Sequence, residues 1–488
     1  MDGPEPAIDP PGESRQIRGA LRSAAVYTFG SALGKAIGFL LLPLYSRVLN
    51  TSEYGVLSVL SSVNTLATIT LTLGADYSVF RMWFELASEP QRQRRLLSSL
   101  IRFMIGFPVT IASVLGVTAW LVLGTHAEVP GHYVALSLLA AALYVGAVNV
   151  PLAFFRAQEN LKGFLVVTVV NIVATTGLAL TLVVGLDEGV LGMMIAGVAA
   201  NLLTLTVMLY LVRVHRHGDR SDRALVRRSI RLGLPLLPHF VSLQVLVLAD
   251  RLVLTSLVTT AAIGVYGLAS NFALPVMIAV QSLNAGFMPA YARAGTQGGD
   301  PAGLSNAVIM QVAMVTVLTV AAAVVAPPLI TVMTPSSYWG SQSVVGWLIL
   351  GYAFLGFYAI PMNAAAQGAG RTQGAWKVTV ASAAVNLGLI YALVPGDGIR
   401  GAAIASAIGY LVLLAGIGLW SRGADNPVRY DWGRILPIVG AGALVYLLAI
   451  ATTHDHGVVS LVWRTMWAVS LPAVLLASRR YLLQPQGT

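Results

Sequence analysis

Fourteen times along this chain an apolar run recurs that is long enough to cross a bilayer. A hydrocarbon layer of ~30 Å requires about 20 residues of helix. Inside that layer every peptide N–H and C=O must find its partner within the protein, so a chain built of such runs is committed to helices. The runs lie at about residues 23–49, 54–76, 96–123, 132–155, 163–185, 189–213, 228–257, 262–291, 303–331, 339–366, 372–394, 398–420, 434–452 and 458–481. With 56% hydrophobic residues, 10% charged residues and a mean hydropathy of +0.76, the 488 residues carry too few charges to cover a soluble particle of that size. The expected fold is all-α and integral to the membrane, with about 14 transmembrane helices.

Residues 1–20 are rich in Pro, Gly and charge and read as a disordered tail. They are no secretory signal, because the apolar run behind them has full spanning length and lacks a short apolar core with a cleavage site. The absence of cysteine excludes disulfides and thiolate metal sites. The histidine pairs at 215–217 and 454–456 have no further ligand on their own side and read as solvated loop residues.

Charge tests the count of spans. With the N-terminus inside, the inner segments hold Arg15, Arg18, Arg22, Arg81, Arg92, Arg94, Arg95, Arg156, Lys162 and the arginines from 213 to 231. Arg293, Arg371, Lys377, Arg422, Arg429, Arg434, Arg479 and Arg480 follow on the same side. The opposite loops hold Arg400 and Arg464, with Arg47 close by. This asymmetry calls for an even number of spans and two cytoplasmic ends. It also accounts for the net charge of +10 without nucleic acid, since the arginines are spread over separate loops.

Displacing the chain by 209 residues lays the first six spans on spans seven to twelve. Thr51 in "TSEYGVLSVLSS" then lies over Thr260 in "TAAIGVYGLASN", Ala157 and Gln158 over Ala366 and Gln367, and Gly189 over Gly398. Matches at equivalent helix ends mark an internal repeat of the kind transporters use for alternating access. The expected organisation is a tail over 1–20, a first six-span lobe over 21–213, a cytoplasmic linker over 214–227, a second lobe over 228–421, and two extra spans with a tail over 422–488.

The stretch "GSALGKA" at 30–36 is a near miss to a phosphate-binding loop. Only three residues separate Gly30 from Gly34, and Ala36 stands where a Ser or Thr would hold Mg²⁺. Lys35 is then a charge inside span one, about twelve residues or ~18 Å from either end. A lysine there costs at least ~2.5 kcal/mol and marks either a cavity-facing ligand for anions or half of an interhelical ion pair. Gly34, Gly38 and Pro43 loosen that span, as Pro235 and Pro238 loosen its repeat mate.

Three stretches carry a family resemblance: "GSALGKAIGFLLLPLYSRVLNTSEYGVLS" in span one and its loop, "LGADYSVFRMWFE" after span two, and "ADRLVLTSLVTTAAIGVYGLA" in span seven. Their order is similar to that of the polysaccharide transporter, or Wzx-type oligosaccharide flippase, family. Multidrug and toxin extrusion exporters and the peptidoglycan lipid II flippase belong to the same superfamily. The likeness extends over essentially the whole chain. It implies a V-shaped, two-lobed bundle without cofactor or enzymatic activity, in a bacterial inner membrane. It further implies that undecaprenyl-diphosphate-linked oligosaccharide passes from the cytoplasmic to the outer leaflet, with membrane lipid, a polysaccharide polymerase and export machinery as partners.

An anionic, sugar-bearing head group needs a polar, cationic path through hydrocarbon. The candidate residues for it are Lys35, Arg251, Asp250, Arg47, Arg81 and Asn271. Asp250 and Arg251 point about 100° apart on their helix and are expected to have different partners. Arg47 could meet the diphosphate at the outer exit or serve as an interfacial anchor. Arg81, with Asp76, could clamp the head group at the inner end of span two or anchor that helix. Arg102 could add to a cationic inner vestibule. Buried amides such as Asn64, Asn149, Asn171, Asn201, Gln311 and Asn386 read as interhelical glue. Trp347, Tyr352, Phe354, Phe357 and Tyr358 suit a lipid-tail groove or bilayer contact, the latter favoured.

Two rival functions make different demands. A cation-coupled drug exporter wants buried carboxylates in the first lobe, where none stands at depth. A glycosyltransferase or polymerase wants an acidic constellation on a large loop, and no loop exceeds about twenty residues. Membrane potential and proton coupling through Asp250 both remain as energy sources; two negative charges moving outward gain ~2.3 kcal/mol each per 100 mV.

Overall fold

The computed structural model describes residues 30, 33–124, 128–213, 222–296, 301–370, 373–422, 428, 430–451 and 458–477. The tail over 1–20 and both histidine pairs lie outside them. Every one of the fourteen apolar runs is helical over its described part, and no strand occurs among the described residues. Nine described helices are long and apolar enough to cross a membrane on length and composition alone.

The difference between nine and fourteen has local causes. Span one is helical over 33–40 and Leu42–Val48, with a turn at Leu41 just before Pro43. Span seven is broken by a 3₁₀ turn at Leu234–Leu236, where the Pro235 ring blocks a regular helix, and continues as Leu237–Leu254. Spans eleven and twelve run together as Ala375–Trp420 across a kink at Gly398. The last two spans are Trp432–Ala451 and Val458–Ala477.

The linker expected over 214–227 is helical from Arg223, in a helix that runs on to Gly233 within span seven. Asp222 caps that helix, its side chain accepting from the N–H groups of Ala224 and Leu225 at 2.9 and 3.2 Å.

The chain divides into two compact units. One holds Met1–Leu41 and Val63–Phe240, the other Leu42–Ser62 and Val241–Thr488. The first has its core around Met82, Leu96, Met104, Phe154 and Met208, all essentially inaccessible. The second centres on Tyr291, Val312 and Ile360, with Val324 and Leu471 packed nearby.

Hydrocarbon gives helices no hydrophobic reason to associate, so small residues and side-chain hydrogen bonds hold them. Asn64 donates to the Ser137 carbonyl at 3.0 Å, and Asn171 to Asn201 at 3.0 Å. Asn201 in turn donates to the Ala140 carbonyl at 2.9 Å, and Tyr291 to Gln311 at 2.8 Å. Each such bond contributes roughly 0.6 kcal/mol. Gly116 lies against Ala135, where an added Cβ would sit 3.1 Å away.

The internal repeat is visible in the backbone. Gly189 and Gly398, equivalent across 209 residues, both have positive φ, 50° and 55°, a region that glycine enters without penalty. The starts of the Thr51–Thr72 and Thr260–Thr296 helices cross in backbone contact within the second unit. A Cβ on Gly55 would collide with the Thr260 carbonyl, and one on Gly264 with the Thr51 carbonyl. Ser52 and Thr260 join their hydroxyls at 2.7 Å, and the Tyr338 hydroxyl donates to the Leu49 carbonyl at 2.8 Å.

Because the native chain has no cysteine, this crossing is directly testable. Ser52→Cys with Thr260→Cys should form a disulfide on mild oxidation, and adding Gly55→Leu should suppress it. Gly38→Leu, at a position where a Cβ meets nothing within 4 Å, should leave the cross-link intact. Equal cross-linking in both backgrounds would show that the glycine contact does not hold the crossing.

Candidate functional site

Within the second unit, four spans meet at a buried polar chain. Asp250, on Leu237–Leu254, is 5% exposed and is the one buried charged side chain among the described residues. Its Oδ2 accepts from the hydroxyl of Tyr266, itself fully buried on Thr260–Thr296. Its Oδ1 accepts from the Arg251 backbone N–H at 2.7 Å. Ser406 hydrogen-bonds Tyr266, and Asn386 Nδ2 approaches the Ser406 hydroxyl at 3.4 Å. Asp250 is thus held by hydroxyl and backbone donors, not by the neighbouring guanidinium.

Arg251 leaves the other side of the same turn, as the 100° step between adjacent residues requires. Its Nε is buried and has no hydrogen-bond partner among the described residues. A buried donor without a partner costs about 1–3 kcal/mol, which identifies a position where an acceptor would be stabilised. The phenols of Tyr54, Tyr352 and Tyr410 lie within its electrostatic reach. Asn271 donates to the Tyr54 hydroxyl at 2.8 Å, so this amide is on the same cluster.

Three of the six sequence candidates, Asp250, Arg251 and Asn271, are therefore brought together. Lys35, Arg47 and Arg81 are not among the residues of that cluster, and Lys35 and Arg81 belong to the first unit. Lys35, in the first unit, is exposed and forms no ion pair among the described residues, while its neighbour Gly34 packs towards Ile172. Arg47 is exposed in the last turn of Leu42–Val48. Arg81 binds Glu85 at 2.8 Å, and the same carboxylate accepts from Arg228 at 2.7 Å. That exposed network ties the Ala75–Glu85 helix to the Arg223–Gly233 helix.

The aromatic residues of the Gln342–Asn363 helix divide in two. Tyr352 is 6% exposed, with its ring 6.2 Å from that of Tyr410, so the bilayer contact favoured for it from sequence is replaced by a core position. Trp347, Phe354 and Phe357 line an apolar cavity of about 530 Å³ with Val439 and Tyr446 of the Trp432–Ala451 helix. Arg400 also borders it.

Tyr54, Tyr266, Tyr410 and Ser406 did not emerge from the sequence as site residues. Tyrosine suits a membrane interface as well as a core, and its partners here come from other spans. The signal available was Tyr266 on the span paired with the one acidic span, six positions beyond the repeat-matched Thr260.

Residues 20–295 match the family described as polysaccharide biosynthesis protein. Lsg locus putative protein 1 of Haemophilus influenzae is 23% identical over 276 residues, which cover 55% of this chain and 65% of that protein. Among solved structures, lipid II flippase MurJ in an inward closed conformation superposes with a TM-score of 0.74. The identity is 11%, and the match covers 94% of this chain and all of the other. A Vibrio cholerae MATE transporter, VcmN, superposes at 0.55 with 17% identity, covering 84% of this chain and 97% of the transporter. At these identities the likeness to MurJ and VcmN is one of fold.

The Asp250–Tyr266 contact makes a quantitative prediction. Tyr266→Phe should lower the thermal midpoint of the detergent-solubilised protein by an amount corresponding to about 1–3 kcal/mol, because it leaves a buried acceptor less well satisfied. Asp250→Asn should destabilise the Tyr266→Phe protein less than the native one. Strictly additive losses would show that the two side chains are not coupled.

Proposed function

The chain belongs to the polysaccharide biosynthesis protein family, and from that membership we propose that it is a flippase for undecaprenyl-diphosphate-linked oligosaccharide. The cargo passes from the cytoplasmic to the outer leaflet of a bacterial inner membrane by alternating access. The observation that carries this reading is the buried Nε–H of Arg251, which no acceptor among the described residues satisfies. A diphosphate oxygen is the acceptor that this donor fits best, as a charge-assisted hydrogen bond. Tyr54 and Asn271 beside it offer a hydroxyl and an amide to sugar or phosphate oxygens.

Lys35 supports the same cargo. A lysine at span depth without a carboxylate partner among the described residues is a poor structural element and a suitable ligand for an anion. Arg47 is the further cation on the exit side. The cavity bordered by Trp347, Phe354 and Phe357 offers apolar walls to a polyprenyl chain. Asp250, engaged by Tyr266, positions the turn that carries Arg251. The membrane potential then supplies the direction, since the diphosphate moves outward down an inside-negative field.

Flipping of lipid-diphosphate oligosaccharide in proteoliposomes tests the assignment. Lys35→Ala and Arg251→Gln should each slow flipping about tenfold or more, the rate equivalent of one lost charged hydrogen bond. Lys35→Arg should retain most of the rate. Normal flipping by both Lys35→Ala and Arg251→Gln would overturn the anion-binding role. With no pH gradient, an inside-negative potential imposed by a potassium gradient should accelerate outward flipping; a rate indifferent to potential would remove the field as the driving force.

A further inference from the structure

The crossing of the Thr51–Thr72 and Thr260–Thr296 helices also fixes the place of Tyr54. This residue stands next to Gly55, where the two backbones touch, and is 4% exposed. Its ring meets that of Tyr338 edge to face at 5.7 Å. Its hydroxyl oxygen accepts from Asn271 at 2.8 Å, and its own hydrogen goes to no acceptor among the described residues. The guanidinium whose charge reaches this phenol is that of Arg251, on the Leu237–Leu254 helix. A phenolic donor from span two is thus set beside the buried Nε–H that has no partner among the described residues.

Two further phenols approach the same guanidinium from other spans. Tyr352 of the Gln342–Asn363 helix and Tyr410 of the Ala375–Trp420 helix are 6% and 4% exposed, and the charge of Arg251 reaches both. Neither hydroxyl is engaged by another described residue. The Asp250 carboxylate is taken by the Tyr266 hydroxyl and the Arg251 backbone N–H. Four spans therefore bring an N–H and three O–H groups together, none of them spent on a described acceptor. Polar groups at such depth are ordinarily paired. The group that completes this set is one whose several oxygens accept at once, an oxyanion, with each bond charge-assisted.

We propose that an oxyanion held by Arg251, Tyr54, Tyr352 and Tyr410 is a brace that keeps this crossing shut. The inference rests on the reading of Arg251 as a ligand for the cargo's diphosphate and adds the direction of the coupling: the occupied site is the closed one. With the site empty, the closed crossing encloses an Arg251 N–H that has no acceptor, and parting the helices lets water reach it. An oxyanion that accepts from Arg251 and Tyr54 together removes that gain and ties span seven to span two. Linkage then requires that a crossing held shut bind the anion more tightly.

The purified full chain carrying Ser52→Cys and Thr260→Cys, at positions whose hydroxyls lie 2.7 Å apart in the native protein, is held shut by oxidation and released by reduction. Both forms would be titrated calorimetrically with a short-chain polyprenyl diphosphate and, separately, with inorganic diphosphate, the tighter of the two naming the source of the oxyanion. The oxidised form should bind about tenfold more tightly than the reduced one, and the bound anion should speed disulfide formation in the reduced form. Tyr352→Phe and Tyr410→Phe should each weaken binding about fivefold in both forms and leave the ratio between them intact. Tyr54→Phe should bring that ratio close to one, which loss of a residue that only packs the crossing would not do. Equal or weaker binding by the oxidised form would overturn the brace while leaving Arg251 a ligand, as would a ratio that Tyr54→Phe does not change. Unaltered affinity in both Tyr352→Phe and Tyr410→Phe would overturn the four-span cluster. Binding to the reduced form that Arg251→Gln does not weaken would overturn the anion-binding role of Arg251, and the brace with it.

Discussion

Water is absent from the interior of a bilayer, and that absence dictates how this protein is held together. Once each helix has satisfied its own peptide groups, burial from water no longer drives one helix onto another. What remains is close packing and the occasional side-chain hydrogen bond. The structure therefore relies on glycines that let backbones touch, at Gly55 with Gly264 and at Gly74 with Gly233. It relies equally on amides and hydroxyls that reach across to a neighbour's carbonyl, as Asn64 and Asn201 do. Pro108, Pro275, Pro361 and Pro395 stand inside spanning helices, where neighbouring helices, hydroxyl side chains and local 3₁₀ or π adjustments satisfy the freed backbone groups again.

Charge at depth is handled in two contrasting ways. Asp250 is enclosed, its oxygens taken by a phenol and a backbone N–H. The cations are left with capacity: Lys35 exposed, Arg251 with a buried donor unused. Among the described residues the acid at depth is satisfied, and the basic side chains keep donors without a partner. That imbalance follows from the arrangement of hydrogen bonds and is invisible in the net charge, which the positive-inside bias dominates.

Much of this was legible in the sequence, because length and composition alone decide what crosses a bilayer. The fourteen runs are helical where described, and the repeat offset is readable because Gly189 and Gly398 stand at equivalent positions between spans, both at positive φ. Only the first turn of Arg223–Gly233 falls in the stretch that reads as linker, because its arginines mask a 3.6-residue period, although Asp222 is an available capping signal; from 228 onward it falls in span seven. Asp250 and Arg251 were identified by their rarity in an apolar run. Their tyrosine partners were not, since an aromatic residue in such a run looks the same whether it faces lipid or another helix. Only the packing of distant spans separates Tyr352, in the core, from Phe354, on a cavity wall.

The crossing of the Thr51 and Thr260 helices carries an evolutionary reading. Each glycine meets the residue four positions before its own equivalent, and does so reciprocally. That is the form of an isologous contact, in which one surface is matched with itself across a two-fold axis. In a dimer of identical halves, any enlargement of a residue at that axis would appear on both sides at once. Joining the halves in one chain lifts this restriction, and the next equivalent pair displays the result: Ser58 on one helix occupies the space that Gly267 leaves open on the other. Within one chain a symmetric surface can thus become a lock and its key.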